Sequence, residues 1–285
     1  MAEFDAWIGR EERLTDRVDP EMVARWCATL DRAPPVDTLA PQGVHWCLAL
    51  PRVRTAELGE DGHVRRDDSL ASFLPPVDLP RRMWASSTVE FLRPLKLGEI
   101  VSRRSVVRSI TPKAGGSGRL CFVDVAHESS GEEGVAVKEV QSIVYREPST
   151  TGAPPSPPPL GEGRFDPSAW RATRILIPGQ ALLFRFSALT FNSHRIHYDL
   201  PYARAEEGYR NLVVHGPLIA TLLLDLVRRE LGEQALSRFS FRGVSPAMHA
   251  EPLHLVLRGS GKALELGAFA DDGRQVMSAS AEVRS

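Results

Sequence analysis

The stretch Leu189 to Tyr202, LTFNSHRIHYDLPY, gathers Asn192, His194, Arg195, His197, Tyr198 and Asp199, and Val213-Val214-His215-Gly216-Pro217-Leu218 follows after a short loop. Three of the eight histidines therefore fall within this short part of the chain. An imidazole titrates near neutrality, so such a cluster suits proton transfer. The His194-x-x-His197 spacing would also let two rings approach one metal ion. No Glu or Cys stands at a usual third-ligand spacing and HExxH is absent, so no metal is assigned.

Gly216-Pro217 suits the first turn of a helix, whose free N–H groups carry a partial positive field that stabilises a developing oxyanion or binds phosphate. An equal alternative is that Gly216 simply suits a place beside proline and that His215 is a satisfied core histidine. Serine hydrolysis, phosphoryl transfer and hydride transfer lose ground, because there is no GxSxG elbow, no P-loop and no GxGxxG after a strand.

The elements that must hold this cluster are legible on both sides. Pro178 opens a helix with Leu182, Leu183, Phe186 and Leu189 on one face. Gly216-Pro217 opens a second, PLIATLLLDLVRREL, which is apolar on most of its circumference up to Asp225 and should be a buried core helix. Strands are expected at 239–244, 253–257, 263–270 and 276–283, broken by SPAMHAEP, GSGK and DDGR. The first half has a similar grammar. Asp19-Pro20 starts a helix over about 20–31, 51–80 is a long excursion, and strands at 83–92, 100–110, 120–127 and 135–145 should form an antiparallel meander. Between the halves, Ser149 to Ser168 holds six of the 22 prolines and reads as an extended linker. The expected domains are residues 1–148, the linker 149–168, and residues 169–285, in an α+β architecture suggesting duplication.

Composition bounds the function. Apolar residues at 42% and charged residues at 25% are near the globular average, and a net charge of −1 gives no global basic field for nucleic acid. Residues 51–119 hold 13 of the 35 basic residues against eight of the 36 acidic ones, either a solvated face or a site for a phosphorylated carrier, with Arg82 and Arg93 as the residues to test. Cys27, Cys47 and Cys121 are widely spaced without a CxxC, which suggests buried reduced thiols. The longest apolar run, 218–227, is about half a membrane span, and the charged N-terminus lacks a signal-peptide core. A reducing, cytoplasmic setting is expected, with no membrane and no nucleic acid as partner.

FSALTFNSHRIHYDLPYA followed by EGYRNLVVHGPL resembles the hydratase signature of the MaoC-like (R)-specific enoyl-CoA hydratases and type 2 hydroxyacyl-thioester dehydratases. HWCLALPRV, ELGEDGH, SFLPPVDLPRRMW, VEFLRPLKLGE and SIVYRE resemble the N-terminal half of the mesaconyl-C4-CoA (3-methylfumaryl-CoA) hydratases. The resemblance covers roughly residues 12 to 284. It implies a double hotdog, two antiparallel sheets each wrapped around a buried helix, and a cofactor-independent hydro-lyase adding water across an enoyl-CoA double bond.

In the family signature an Asp and a His five residues later hold the water, and these positions are Asn192 and His197 here. Asn cannot take a proton, so His197 would do the acid–base work while Asn192 orients the water or the imidazole. Gly216 would be the oxyanion donor, and His194 and His215 would help bind substrate. Arg195 would pair with a free carboxylate on a short branched dicarboxylic acyl group, or else form a structural ion pair with Asp199 or Glu206. The alternatives are a broader 3-hydroxyacyl-thioester dehydratase, CoA or carrier-protein linked, a thioesterase, and a non-catalytic acyl-CoA-binding hotdog. Pairing of two double hotdogs into a homodimer stays open.

Overall fold

A computed structural model describes residues 4–65, 72–115, 118–148 and 156–284. The first half begins with an edge strand, β1 (Glu11–Arg17), which has no apolar alternation to announce it because five of its seven residues are charged. Helix α1 (Pro20–Thr29) follows. Asp19 caps it by accepting from the N–H of Met22 at 2.8 Å, and Val23, Trp26 and Cys27 turn inward. Four long strands complete this half: β2 (Arg81–Phe91), β3 (Ile100–Gly115), β4 (Gly118–Gly131) and β5 (Gly134–Arg146).

The second half repeats the order with β6 (Ala172–Leu176), α2 (Gln180–Leu189), the short α3 (Leu200–Ala205), α4 (Gly216–Leu231), β7 (Leu236–Gly243), β8 (Leu253–Ser260), β9 (Ala263–Ala270) and β10 (Gln275–Val283). The spatial order is β1-β3-β4-β5-β2-β7-β10-β9-β8-β6 in one ten-stranded sheet. Read outward from the β2–β7 seam, the two halves have the same strand order, so each is one copy of a single plan. The expected simple meander needs correcting. Strands β3, β4 and β5 form hairpins, but β2 pairs with β5 rather than β3, and in the same way β7 pairs with β10 rather than β8. This arrangement lets a sheet curl over a helix inserted before its second strand, and it makes the chain a double hotdog.

The filling of the two copies is unequal. Helix α4 packs against β6, β8 and β9 of its own half and against β2 across the seam. Its residues Leu218 to Val227 are buried, including Asp225. That carboxylate is tolerated because Arg174, Arg228 and Arg229 donate to it at 2.8–2.9 Å. Where α4 stands in the second half, the described residues of the first half between α1 and β2 hold two short 3-10 turns, Val44–Cys47 and Thr55–Glu57. The helix expected over 20–31 is the counterpart of α2, not of α4. One continuous core nevertheless joins Val23, Trp26 and Val89 of the first half to Leu222, Leu223 and Phe239 of the second.

The proline-rich segment lies partly outside the described residues, at 149–155. From Ser156 on it is bound to the second half. Ser156 bridges Tyr209, Arg164 pairs with Asp271 at 2.7 Å, and Phe165 stacks on Phe269 with ring centroids 4.7 Å apart. Among the described residues no helix is long and apolar enough to cross a membrane.

Candidate active site

At the end of α2 the chain reverses through Phe191, whose φ is +47°. The N–H of Asn192 donates to Ser187 O at 2.9 Å, and Asn192 Oδ1 accepts from the N–H of His194 at 2.9 Å. Fixing Oδ1 on the backbone leaves the NH2 of Asn192 as the end of the amide free to donate into the cleft it lines. The 3-10 turn Arg195–His197 then buries His197. Its Nδ1 lies 2.8 Å from Val213 O, a pure acceptor, so Nδ1 carries the proton and Nε2 keeps its lone pair.

Four imidazoles form a row. His63 packs on His194 with centroids 4.1 Å apart, His194 meets His197 edge-on at 5.5 Å, and His197 stacks on His215 at 3.6 Å. His215 stands at the N-cap of α4 with Nε2 at 2.8 Å from Ser187 Oγ. Burial, then the neighbouring His215 and His194, holds His197 well below the usual imidazole range, and burial takes His215 down to about 3. His197 and His215 are therefore neutral at physiological pH, and a proton placed on His197 Nε2 is readily passed on.

Gly216 opens α4, and among the described residues nothing accepts from its N–H. Its conformation does not require glycine: φ is not positive, and a Cβ there would meet only Trp84 O, at 3.8 Å. Trp84 belongs to β2, so the first half closes over the start of the helix.

His63 and Asp61, which the sequence reading did not single out, come from the long excursion. Asp61 Oδ2 is 2.9 Å from His63 Nδ1, Asp61 O accepts from the N–H of Arg195 at 2.9 Å, and Ser193 Oγ donates to Gly62 O at 2.6 Å. The signal was present in ELGEDGH, where an Asp-Gly turn precedes a histidine, but only the fold shows what it docks against.

Arg195 is a correction. Its Nε and an Nη donate to Asp199 at 3.0 and 2.7 Å, its other Nη donates to Glu60 O, and its guanidinium lies 4.1 Å over the Tyr202 ring. These bonds turn it out of the cleft, as the structural ion-pair alternative has it. Arg93 is likewise held, by Glu99 at 2.7 Å and by Gly134 O. Asn192, His194, His197, His215 and Gly216 all line one cleft of about 2000 Å3, together with His63, Arg82 and Trp84 of the first half.

The sequence profile of hydroxyacyl-thioester dehydratase type 2 matches residues 43–249, which takes in both walls of this cleft. The chain belongs to that family. A mesaconyl-C4-CoA hydratase of Chloroflexus aurantiacus is 42% identical over 99% of this chain and 98% of its own. Among solved structures, a MaoC-like dehydratase superposes with a TM-score of 0.75 at 14% identity, covering 99% of each chain. A Mycobacterium tuberculosis protein with a double hotdog fold gives 0.60 at 11% identity, covering 97% of this chain and 96% of its own. These distant matches bear on the fold, and the near one on the family.

Proposed function

We propose that this type 2 dehydratase family member reversibly hydrates a short, branched dicarboxylic enoyl-CoA such as mesaconyl-C4-CoA. The observation that carries the reading is the convergence on one cleft of the His197 Nε2 lone pair, the free Asn192 amide and the unpartnered Gly216 N–H. Water sits with its oxygen accepting from the Asn192 NH2 and one hydrogen directed at His197 Nε2. Its oxygen bonds to the β carbon while His197 takes the proton, and the π electrons move onto the thioester oxygen. The Gly216 N–H and the field of α4 stabilise that charge. Collapse of the enolate draws the proton from His197 to the α carbon, restoring the neutral imidazole. Dehydration is the same path reversed.

The substrate reading is supported by the relative named for mesaconyl-C4-CoA and by the far end of the cleft. Where the first half lacks a long helix, the lining includes Glu12, Arg103, His127, Glu139 and Gln141. A long aliphatic chain would leave these polar groups facing hydrocarbon, which favours a small polar acyl group over broad chain-length dehydration. The domain division at 149–168 belongs to the proposal, with the second half supplying the base and the first closing the cleft. Cys27, Cys47 and Cys121 are buried thiols, which goes with the cytoplasm as the working compartment.

The test follows the enoyl-thioester absorbance after mixing with mesaconyl-C4-CoA or crotonyl-CoA, for wild type and His197→Ala. Rapid loss with the dicarboxylic ester, reduced about 10²–10⁴-fold in the variant, is the expected result. Turnover of crotonyl-CoA alone would move the assignment to a general acyl dehydratase. Binding without turnover would make the chain an acyl-CoA-binding hotdog, and release of free thiol would make it a thioesterase.

A further inference from the structure

With Arg195 turned away, the cleft must meet a dicarboxylic substrate's free carboxylate by another group. In a 3-methylfumaryl ester that carboxylate is bonded to the β carbon, so its partner lies beside the water-adding groups and not at the distant mouth. His63, His197 and His215 are held neutral by burial, His194 Nε2 faces the Glu207 carboxylate at 3.8 Å, and Asp61 and Glu207 are of the wrong sign. A guanidinium is the remaining kind of cation.

Most arginines lining the cleft are already engaged. Arg103 donates to Leu48 O and Ala49 O, Arg146 to Tyr209 OH, and Arg274 to Ser245 Oγ and Pro246 O. Arg65 donates to Ala56 O and Leu58 O. The side chains of Arg82 and Arg242 have no hydrogen bond or ion pair among the described residues, and both residues line the cleft. Arg242 is exposed near the end of β7, whereas Arg82 is half-buried on β2. Arg82 stands two residues before Trp84, whose carbonyl is the atom nearest to a Cβ built on Gly216. It is also near His63: after burial, the Arg82 charge is the next cause holding that imidazole down, at about 3. Its neighbour Arg81, by contrast, is buried and paired with Glu207 at 3.2 Å.

We propose that Arg82 is the specificity-determining residue that binds the free carboxylate of the acyl group. A half-buried guanidinium without an anion carries a desolvation cost that a substrate carboxylate relieves, and its planar fork matches the two carboxylate oxygens. The substrate enters with its thioester oxygen toward Gly216 and its carboxylate toward Arg82, which places the β carbon between them for the water held by Asn192 and His197. The inference rests on the dicarboxylic hydratase reading, and it names the residue that makes that reading selective.

Binding of two unreactive esters tests it apart from catalysis. Succinyl-CoA and butyryl-CoA, which differ by a carboxylate in place of a methyl group, are titrated calorimetrically into the full chain as wild type, Arg82→Gln and Arg82→Lys. The wild type is expected to prefer succinyl-CoA. Arg82→Gln should weaken succinyl-CoA by about 10–10²-fold and leave butyryl-CoA unchanged, which also shows the variant folded, and Arg82→Lys should fall between. A succinyl preference that persists in Arg82→Gln, or an equal loss of both esters in both variants, overturns the assignment. Failure of the hydratase reading is seen separately, as absence of enoyl-thioester turnover in a wild type that still prefers succinyl-CoA.

Discussion

The ring of His197 lies flat on that of His215, with centroids 3.6 Å apart and planes within 19°. The two residues come from different elements, a 3-10 turn and the cap of α4, yet the hydrogen bonds that aim them are complementary. Val213 O fixes the His197 proton on Nδ1, and Ser187 Oγ engages His215 Nε2. Two imidazolium ions could not share that spacing without strong repulsion, so the stack works with neutral rings. Its second member backs the first and keeps the basic Nε2 of His197 directed at the cleft.

This arrangement sets the pH dependence of stability. His63 and His215 are depressed to about 3, mainly by burial, and His197 is depressed well below its ordinary value. In the unfolded chain each binds a proton near pH 6.5, so the stabilisation is complete above that value and is lost as pH falls from 6.5 toward 3. Each such histidine contributes a slope of up to about 1.4 kcal/mol per pH unit in that window. Denaturant unfolding at pH 8, 6 and 5 should show a plateau and then a steep fall, shallower in His215→Gln. Equal stability at pH 8 and pH 5 would contradict the neutrality of His63, His197 and His215.

The docking of the first-half loop depends on Gly62. Its φ is +84°, and a Cβ there would lie 1.9 Å from Ser193 O, a backbone atom fixed by the turn that leads to His194. Gly62→Ala should cost about 2–4 kcal/mol through strain and displacement. It should also lower turnover, because His63 moves away from His194 although Gly62 does no chemistry. Thermal unfolding and kcat measured on the same preparation check this. An unchanged Tm with full activity would mean that the loop does not brace the row.

Much of this was legible in the chain, and the gaps have physical causes. Helix α4 announced itself by an apolar circumference, and the His/Asn cluster by its composition between two apolar helices. Strand β1 was hidden because an edge strand can be built almost wholly of charged residues, as EERLTDR is, and then shows no hydrophobic period. The β2–β5 and β7–β10 pairings were misjudged because strand signals are local, whereas the crossover is set by a helix that must be enclosed. His63 could not be assigned a role because its partner His194 is more than a hundred residues away. For Arg195 the sequence leaves open a substrate ligand or an ion pair with Asp199 or Glu206, and only the fold shows that Asp199, four residues on, holds it.

Gly216 separates a structural reason for glycine from a chemical one. Nothing in the backbone demands it, and Ala is the better helix former, by up to about 1 kcal/mol in a helix interior and less at this first position. Gly216→Ala should therefore keep or slightly raise the Tm. The added methyl group would stand beside Trp84 O at the place where the thioester carbonyl must approach the N–H, pushing the carbonyl out of line with the helix field. A misplaced oxyanion loses a large part of a contact worth about 10²–10³-fold, so kcat should fall at least about tenfold while the fold is intact. KM should change less than kcat, since the contact strengthens as charge develops on the oxygen. Steady-state hydration kinetics alongside a melting curve decide the matter. A variant with wild-type kcat would remove the Gly216 N–H from the oxyanion role and leave the N-terminus of α4 as a purely structural cap.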